Sequence, residues 1–199
     1  QKGIRNFVVE KKVENLPHAN FIEVESPLLA LQLWAKNHRS QFSFPIIGIT
    51  GSNGKTIVKE WLNQLLWKKY SIVQSPKSYN SQIGAALSVL QIEEKNNLGI
   101  FEAGISMPNE MQHLEEIIQP TIGVLTKIGE AHLENFKNQD ELLHEKLKLF
   151  SHVEKLVFNI ENEKVHQAIL ENKHLAKIDK FSYGYIDSAT VQTKQILSN

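Results

Sequence analysis

Apolar runs alternate with amphipathic stretches along most of this chain. The apolar runs predict strands at residues 44–50, 71–75, 98–105, 121–128, 155–160 and 180–185. The stretches between them predict helices at residues 55–70, 80–92, 109–119, 139–153 and 162–172. Continuous apolar strands that alternate with helices are typical of a mostly parallel sheet with helices on both faces. The predicted fold class is therefore α/β.

The helix predicted over residues 55–70 carries its large apolar residues on one stripe. The members of this stripe are Ile57, Val58, Trp61, Leu62, Leu65 and Leu66. An apolar stripe at helical spacing is typical of an amphipathic helix.

The beginning of the chain follows a different pattern. Residues 5–10 and 21–24 predict short strands, and residues 26–41 predict a helix with a serine cap and a proline in its first turn. We expect residues 1–40 to be the end of a preceding domain with its connecting helix, and residues 41–199 to form the next domain. The chain does not begin with Met, as expected of an excised fragment.

Composition narrows the classes of function. The 22 Lys and Arg residues balance the 22 Asp and Glu residues, so net charge gives no argument for binding nucleic acid or an anionic membrane. The sequence has no Cys, which excludes a disulfide framework and thiolate metal sites and fits a cytoplasmic protein. No apolar run approaches the ~20 residues that a membrane-spanning helix needs, and the start of the chain lacks the pattern of a signal peptide.

A glycine-rich segment between a predicted strand and a predicted helix is the first candidate for chemistry. Its sequence, TGSNGKT, covers residues 50–56. Glycines let the backbone turn its N–H groups inward, and a helix N-terminus attracts anions. A lysine at the helix start can reach the β- and γ-phosphates of a nucleotide, and a threonine hydroxyl after it can bind Mg²⁺. The candidate nucleotide-binding residues are Gly51, Ser52, Asn53, Gly54, Lys55 and Thr56.

The spacing of this loop departs from the usual phosphate-loop pattern. Ile49 stands where that pattern has its first glycine. The alternative is a glycine-rich turn with a surface lysine. The position of the loop between a strand and a helix favours phosphate binding, because that context supplies the free N–H groups.

Two polar residues follow or end apolar strands. Glu102 ends a strand, where a carboxylate is costly to bury unless it is paired or binds a metal. His132 lies past the carboxyl end of the strand predicted at 121–128. Ligands of open α/β sheets bind at such strand ends, so Glu102 is a candidate Mg²⁺ ligand. The alternatives are a solvated carboxylate and a structural histidine.

Lys146 lies on the apolar stripe of its own helix. Its neighbours at helical spacing are Leu142, Leu143, Leu149 and Phe150. A lysine removed from water tends towards the neutral amine. A neutral amine can add CO₂ to form a carbamate, which is an oxygen ligand for Mg²⁺. The alternative is that the long side chain reaches solvent.

These segments together resemble the Mur ligase family, the ATP-dependent amide-forming enzymes of peptidoglycan synthesis. TGSNGKT is similar to the phosphate loop of that family, whose glycine spacing departs from the usual pattern in the same way. NSQIG at 80–84, EAGIS at 102–106 and IGEAHLE at 128–134 resemble the branch that joins D-alanyl-D-alanine to UDP-N-acetylmuramoyl tripeptide. The resemblance covers roughly residues 40–190 and implies a P-loop-type central domain that binds ATP.

The resemblance also implies roles for individual residues. The implied catalytic residues are Lys55, Glu102, His132 and Lys146. The implied ligands of two Mg²⁺ ions are Thr56, Glu102, His132 and a carbamylated Lys146. Asn159 follows a strand in the segment NIENE and is the implied adenine contact. The residues implied near the substrate carboxylate are Asn80 and Ser81.

The family has three domains, of which this chain is expected to hold the central one and to lack the third. GKTIVKEW at 54–61 resembles the form in which this ligase is fused to an alanine racemase, although the chain contains no racemase segment. Three alternatives stay open. They are another Mur-type or folylpolyglutamate-type ligase, a nucleotide-binding module without ligase activity, and an α/β domain that binds no nucleotide.

Overall fold

The computed structural model describes residues 3–11, 18–129 and 133–194. It begins with two short strands, β1 (Asn6–Val9) and β2 (Asn20–Glu23). They pair in parallel and form a small sheet of their own. The short strands predicted for this part of the chain are confirmed.

Helix α1 (Pro27–Arg39) connects this pair of strands to the main sheet. Ser26 caps the helix by accepting a hydrogen bond from the Leu29 N–H at 3.2 Å, and a proline in the first turn needs no N–H partner. The buried guanidinium of Arg39 donates to the carbonyl oxygens of Ile118 and Gln119 at 3.0 and 3.2 Å. These bonds fix the end of α1 to the larger part of the molecule.

A seven-stranded sheet forms the centre of the structure, and every strand pair in it is parallel. Its strands are β3 (Ile46–Thr50), β4 (Ile72–Gln74), β5 (Leu98–Glu102), β6 (Ile122–Leu125), β7 (Lys155–Asn159), β8 (Asp179–Gly184) and β9 (Val191–Gln192). Their order across the sheet is β4-β5-β3-β6-β7-β8-β9. The predicted α/β class with a parallel sheet is confirmed.

Helices cover both faces of the sheet, but unequally. The helices after α1 are α2 (Lys55–Leu66), α3 (Gln82–Val89), α4 (Glu110–Ile118), α5 (Gln139–Leu147) and α6 (Glu163–Glu171). Helices α1, α3, α4, α5 and α6 all contribute buried side chains to one large core. Helix α2 packs on the opposite face, over Ile47, Ile49, Leu98 and Ile100. On that face Phe181 of β8 remains 43% exposed, so α2 covers only part of it.

The apolar stripe expected on α2 divides into two halves. The residues that pack towards the sheet are Val58, Leu62 and Leu66. The residues that face outward are Ile57, Trp61 and Leu65, which are 57%, 63% and 77% exposed. Adjacent residues of a helix point about 100° apart, so both members of such a pair cannot face one flat sheet. The stripe is therefore divided between a half that packs on the sheet and a half that faces outward.

Most observed elements are shorter than their predictions. β5 ends at Glu102 because the chain then turns towards the neighbouring loop, where the Gly104 N–H donates to the Asn80 carbonyl at 2.8 Å. α5 ends at Leu147, and the residues Lys148–Phe150 continue it as one 3₁₀ turn. None of the helices in the described ranges combines the length and the apolarity that crossing a bilayer requires.

Candidate functional site

The glycine-rich loop leaves the carboxyl end of β3 and leads into α2. β3 lies between β5 and β6, so the loop sits between the ends of two neighbouring strands. Gly51 has φ +145°, and a Cβ atom there would lie 1.9 Å from the Thr126 hydroxyl oxygen. Only glycine fits this position. The loop therefore lies directly against the end of β6.

The two residues after Gly51 are held by the segment that follows β6. The N–H groups of Ser52 and Asn53 donate to the Lys127 carbonyl at 2.8 and 3.3 Å. The Ser52 hydroxyl also donates to the Gly129 carbonyl at 3.2 Å. The N–H groups at the start of α2 have no partner within the helix. The helix follows directly after Gly54, which has φ +88°. The free N–H groups of its first turn can bind an anion.

Lys55 is folded back onto the loop that precedes it. Its ammonium donates to the Gly51 carbonyl at 2.8 Å, and the residue is half-buried. Burial lowers the pKa of Lys55, and the nearby Glu102 carboxylate opposes this shift. The alternative of a surface lysine on a simple turn does not fit this position.

Lys146 reaches the same place from α5. Its side chain is 1% exposed, and its ammonium donates to the Gly51 carbonyl at 3.4 Å. Burial, together with the charge of Lys55, lowers the pKa of Lys146 to about 8. The alternative that this side chain reaches solvent is excluded. A pKa of about 8 leaves roughly a tenth of the amine neutral at pH 7, which is the form that reacts with CO₂.

Glu102 and Thr56 meet at the start of α2. Thr56 Oγ1 donates to Glu102 Oε2 at 3.0 Å, and the Glu102 residue is fully buried. The alternative of a solvated carboxylate is therefore excluded. The second carboxylate oxygen, Oε1, has no hydrogen-bond donor within the described residues. A buried carboxylate beside a hydroxyl is a donor set that fits Mg²⁺.

Lys59 is a site residue that the sequence analysis missed. Its side chain has no exposed surface, and its ammonium lies 3.0 Å from Glu102 Oε1 as a charge contact without hydrogen-bond geometry. Lys59 follows Lys55 by four residues and Thr56 by three. This spacing puts Lys59 on the helix face of those two residues. The spacing is the signal that could have identified it.

The predictions for His132 lie outside the described residues. Within the described ranges, no group of three or more His, Asp or Glu side chains is arranged to hold a metal ion. Mg²⁺ commonly takes one or two protein ligands and completes its coordination with phosphate oxygens and water. The pair Thr56 and Glu102 is consistent with such a site.

Asn80 and Ser81 lie beside the end of β5. The Asn80 carbonyl accepts a hydrogen bond from the Gly104 N–H at 2.8 Å, two residues after Glu102. The Ser81 hydroxyl caps α3 by accepting from the Gly84 N–H at 3.2 Å. The structure thus brings this pair to the strand end that carries Glu102.

A cavity of about 620 Å³ continues the site along the ends of β6, β7 and β8. Thr126 and Lys127, which contact the glycine-rich loop, also line this cavity. Asn159 and Tyr183 line its far side. Asn159 Oδ1 accepts a hydrogen bond from the Glu161 N–H at 2.9 Å, so its amide nitrogen is the atom available to a ligand. The cavity is large enough for a nucleoside.

Comparison with known proteins finds similarity to Mur ligases. The family model of the Mur ligase middle domain matches residues 49–199. A UDP-N-acetylmuramoyl-tripeptide–D-alanyl-D-alanine ligase of Bacillus subtilis is 31% identical over 153 residues, which are 76% of this chain and 33% of that protein. The enzyme of the same name from Borreliella burgdorferi is 37% identical over 144 residues, which are 72% of this chain and 31% of that protein. The chain thus spans about a third of the length of these curated relatives.

A solved structure is also similar. The crystal structure of MurF ligase from Thermotoga maritima in complex with ADP has a TM-score of 0.77 and 27% sequence identity. The similarity covers 89% of this chain and 41% of that chain.

Proposed function

The chain belongs to the Mur ligase family, and we propose that it is the ATP- and Mg²⁺-binding part of a ligase that joins D-alanyl-D-alanine to UDP-N-acetylmuramoyl tripeptide. One observation carries the proposal. Lys55, Thr56, Glu102 and Lys146 come from three separate segments and meet at the carboxyl ends of neighbouring parallel strands. Relatives of 31% and 37% identity carry the name of this ligase, which favours it over the alternatives.

ATP is the proposed nucleotide, in part because the Thermotoga maritima relative was solved with ADP. The N–H groups at the start of α2 and the ammonium of Lys55 would hold the phosphates. Lys55 must then leave the Gly51 carbonyl to which it now donates. The adenine would occupy the cavity beyond Lys127, with the amide of Asn159 as its contact.

We propose two Mg²⁺ ions. When bound, they would neutralise the negative charge on the transferred phosphoryl group. Thr56 and Glu102 would hold the first, and the contact between their side chains at the start of α2 supports this. A carbamylated Lys146 and His132 would hold or orient the second. Burial of Lys146 supports the carbamate, because desolvation favours the neutral amine.

The proposed reaction has two steps. The γ-phosphoryl group of ATP passes to the terminal carboxylate of the tripeptide, which gives an acyl phosphate and releases ADP. The amine of D-alanyl-D-alanine then attacks the acyl carbon, and inorganic phosphate leaves. Phosphoryl transfer depends on positioning and charge neutralisation, so the role of this chain is to align the reactants. Asn80 and Ser81, beside the end of β5, would face the tripeptide carboxylate.

The arrangement of the longer protein is also a proposal. Residues 1–40 would link a preceding substrate domain to the nucleotide-binding domain, residues 41–199. A further domain would close over ATP, so we expect this chain to bind Mg·ATP but to have little ligase activity alone. A cytoplasmic location is proposed from the substrates. The fusion to an alanine racemase stays a prediction.

Thermal unfolding with and without Mg·ATP tests the proposed function. A ligand that binds only the folded state raises its stability by mass action. We expect Mg·ATP to raise the Tm of the wild-type chain, and Lys55→Ala to lose most of that rise. The full-length protein then tests the acceptor, since ATP hydrolysis should increase with UDP-N-acetylmuramoyl tripeptide and not with a folate. No rise in Tm for either the chain or the full-length protein would contradict nucleotide binding.

A further inference from the structure

We propose that Lys59 is a positioning residue that fixes the loop of residues 75–81 to helix α2. In doing so it holds Asn80 and Ser81 beside the nucleotide site. The proposal rests on the function proposed above for those two residues. It concerns how the substrate side of the site is attached to its nucleotide side.

The contacts of the Lys59 ammonium carry the first step. Its Nζ donates to the Ser75 carbonyl at 2.7 Å and also to the Lys77 carbonyl. Lys59 is the residue of α2 that is buried completely, with no exposed surface. One ammonium group from the helix thus binds two main-chain carbonyls of the loop.

The charges around Lys59 explain why a lysine can be buried there. Glu102 Oε1 lies 3.0 Å from the ammonium and Glu60 Oε1 lies 3.2 Å from it. A buried ammonium is tolerated when its three N–H groups and its charge find partners. An apolar residue of the same size would leave the two loop carbonyls without a donor. The site therefore requires a cation of this length.

The rest of the loop has few other anchors. Its ends are held by the Ser75 N–H, which donates to Ile100, and by the Asn80 carbonyl, which accepts from Gly104. One further contact with α2 joins the exposed hydroxyls of Ser78 and Thr56, whose oxygens are 3.2 Å apart. Between these ends, residues 77–79 are exposed, and Lys77 has φ +49°. A non-glycine residue in the left-handed region is strained and persists only where its surroundings hold it. Lys59 binds the carbonyl of this strained residue.

A different role for Lys59 would be to neutralise Glu102 and nothing more. In that case removing the ammonium would disturb the carboxylate, and the loop would keep its structure. The two roles differ in what happens to the amides of Tyr79 and Asn80. These amides donate to the carbonyls of Pro76 and Ser78, so their exchange reports the order of the loop.

Hydrogen exchange of the ligand-free chain is the first test. In the wild type, we expect the Tyr79 and Asn80 amides to be protected together with those of α2. Lys59→Met should accelerate their exchange at least tenfold beyond the change in α2. The matched control is Val58→Ala, which weakens the packing of the same helix on the sheet and leaves the ammonium in place. It should accelerate the loop and α2 amides equally.

If Lys59→Met leaves the exchange of the Tyr79 and Asn80 amides unchanged relative to that of the α2 amides, the proposal is overturned. If that variant does not fold, the wild type decides. If the Tyr79 and Asn80 amides exchange at the rate of the α2 amides, the attachment is supported. If they exchange at the rate of an unfolded chain, the attachment is overturned.

Steady-state kinetics of the full-length enzyme is the second test. At saturating Mg·ATP, Lys59→Met should raise the KM for the UDP-linked tripeptide at least tenfold. ADP affinity in EDTA should change less than threefold, because the N–H groups of α2 remain. Accelerated exchange with an unchanged KM would overturn the assignment of Asn80 and Ser81 to the substrate. Unchanged exchange would overturn the role of Lys59 itself, so the two failures are distinguishable.

Discussion

Lys55 and Lys146 donate hydrogen bonds to the same atom, the carbonyl oxygen of Gly51, at 2.8 and 3.4 Å. One lysine comes from the start of α2 and the other from α5. Lys146 is the more deeply buried of the two, and burial together with the charge of Lys55 lowers its pKa to about 8. Of the two amines, Lys146 is therefore the one suited to react with CO₂. A carbamate on Lys146 would also replace the repulsion between two cations by an attraction.

The pKa of Lys146 predicts a pH dependence of stability. Between pH 8 and 10.5 the folded state loses the proton of Lys146 before the unfolded state does, so the free energy of unfolding rises with pH. Compared with Lys146→Met, the wild type should gain about 3 kcal/mol across this window. Urea unfolding in CO₂-free buffer measures the difference. Lys148→Met, which removes a neighbouring lysine that is 40% exposed, should keep the wild-type rise.

The proposed carbamate predicts a chemical rescue in the full-length enzyme. Lys146→Ala should abolish ligation, because the proposed second metal ion would lose an oxygen ligand. Short-chain carboxylic acids should restore part of the activity, since they can place a carboxylate in the space left by the side chain. The measurement is phosphate release with increasing acid. Wild-type activity in Lys146→Ala without any acid would rule out the carbamate.

The close approach of Gly51 to Thr126 predicts unequal effects of two glycine substitutions. Gly51→Ala adds a Cβ atom 1.9 Å from the Thr126 hydroxyl at a positive φ, so it should cost about 2–5 kcal/mol of stability. Gly54→Ala meets open space and should cost only the strain of its positive φ, about 1 kcal/mol. Chemical denaturation of both variants gives the comparison. Equal losses would show that the contact with Thr126 is unimportant.

The buried ion pair of Lys59 and Glu102 predicts that substitutions of its two members have non-additive effects on the free energy of unfolding. Removing one partner of a buried pair leaves the other charge uncompensated, so Lys59→Met and Glu102→Gln should each cost about 3–5 kcal/mol. The double variant should lose about 0.5–3 kcal/mol less than the sum of the single losses. A double-mutant cycle by urea unfolding measures this coupling. Additive losses would mean that the two charges do not interact.

The two halves of the apolar stripe on α2 predict that substitutions in the outward half change stability little and that substitutions in the inward half reduce it. Trp61 is 63% exposed, so Trp61→Gln should change stability by no more than about 0.5 kcal/mol. Leu62 packs towards the sheet, so Leu62→Ala should cost about 2 kcal/mol. Thermal unfolding of the two variants is sufficient. A large loss in Trp61→Gln would mean that the outward half of the stripe is covered in solution.

Local spacing was enough to predict the strands and the helices, because each of these depends on neighbours a few residues away. The alternation of helices with continuous apolar strands then predicted the parallel sheet. The glycine-rich loop could be predicted for the same reason, since the groups proposed to bind phosphate belong to one strand, one turn and one helix. Spacing also placed Lys146 on the apolar stripe of its own helix, but it left open whether the amine is buried or reaches solvent. The division of the α2 stripe did not follow, because spacing alone does not state which part of a wide stripe faces the sheet.

Lys59 shows what only the tertiary structure decided. In the sequence its spacing places it on the helix face of Lys55 and Thr56, but spacing does not show that it is buried. It is buried because Glu102 at the end of β5 and the carbonyls of residues 75 and 77 converge on it from separate segments. The need for glycine at position 51 likewise depends on Thr126, which lies far away in the chain. The sequence by itself determined the helices, the strands and the glycine-rich loop. The contacts between distant segments were decided by the order in which the strands pair in the sheet.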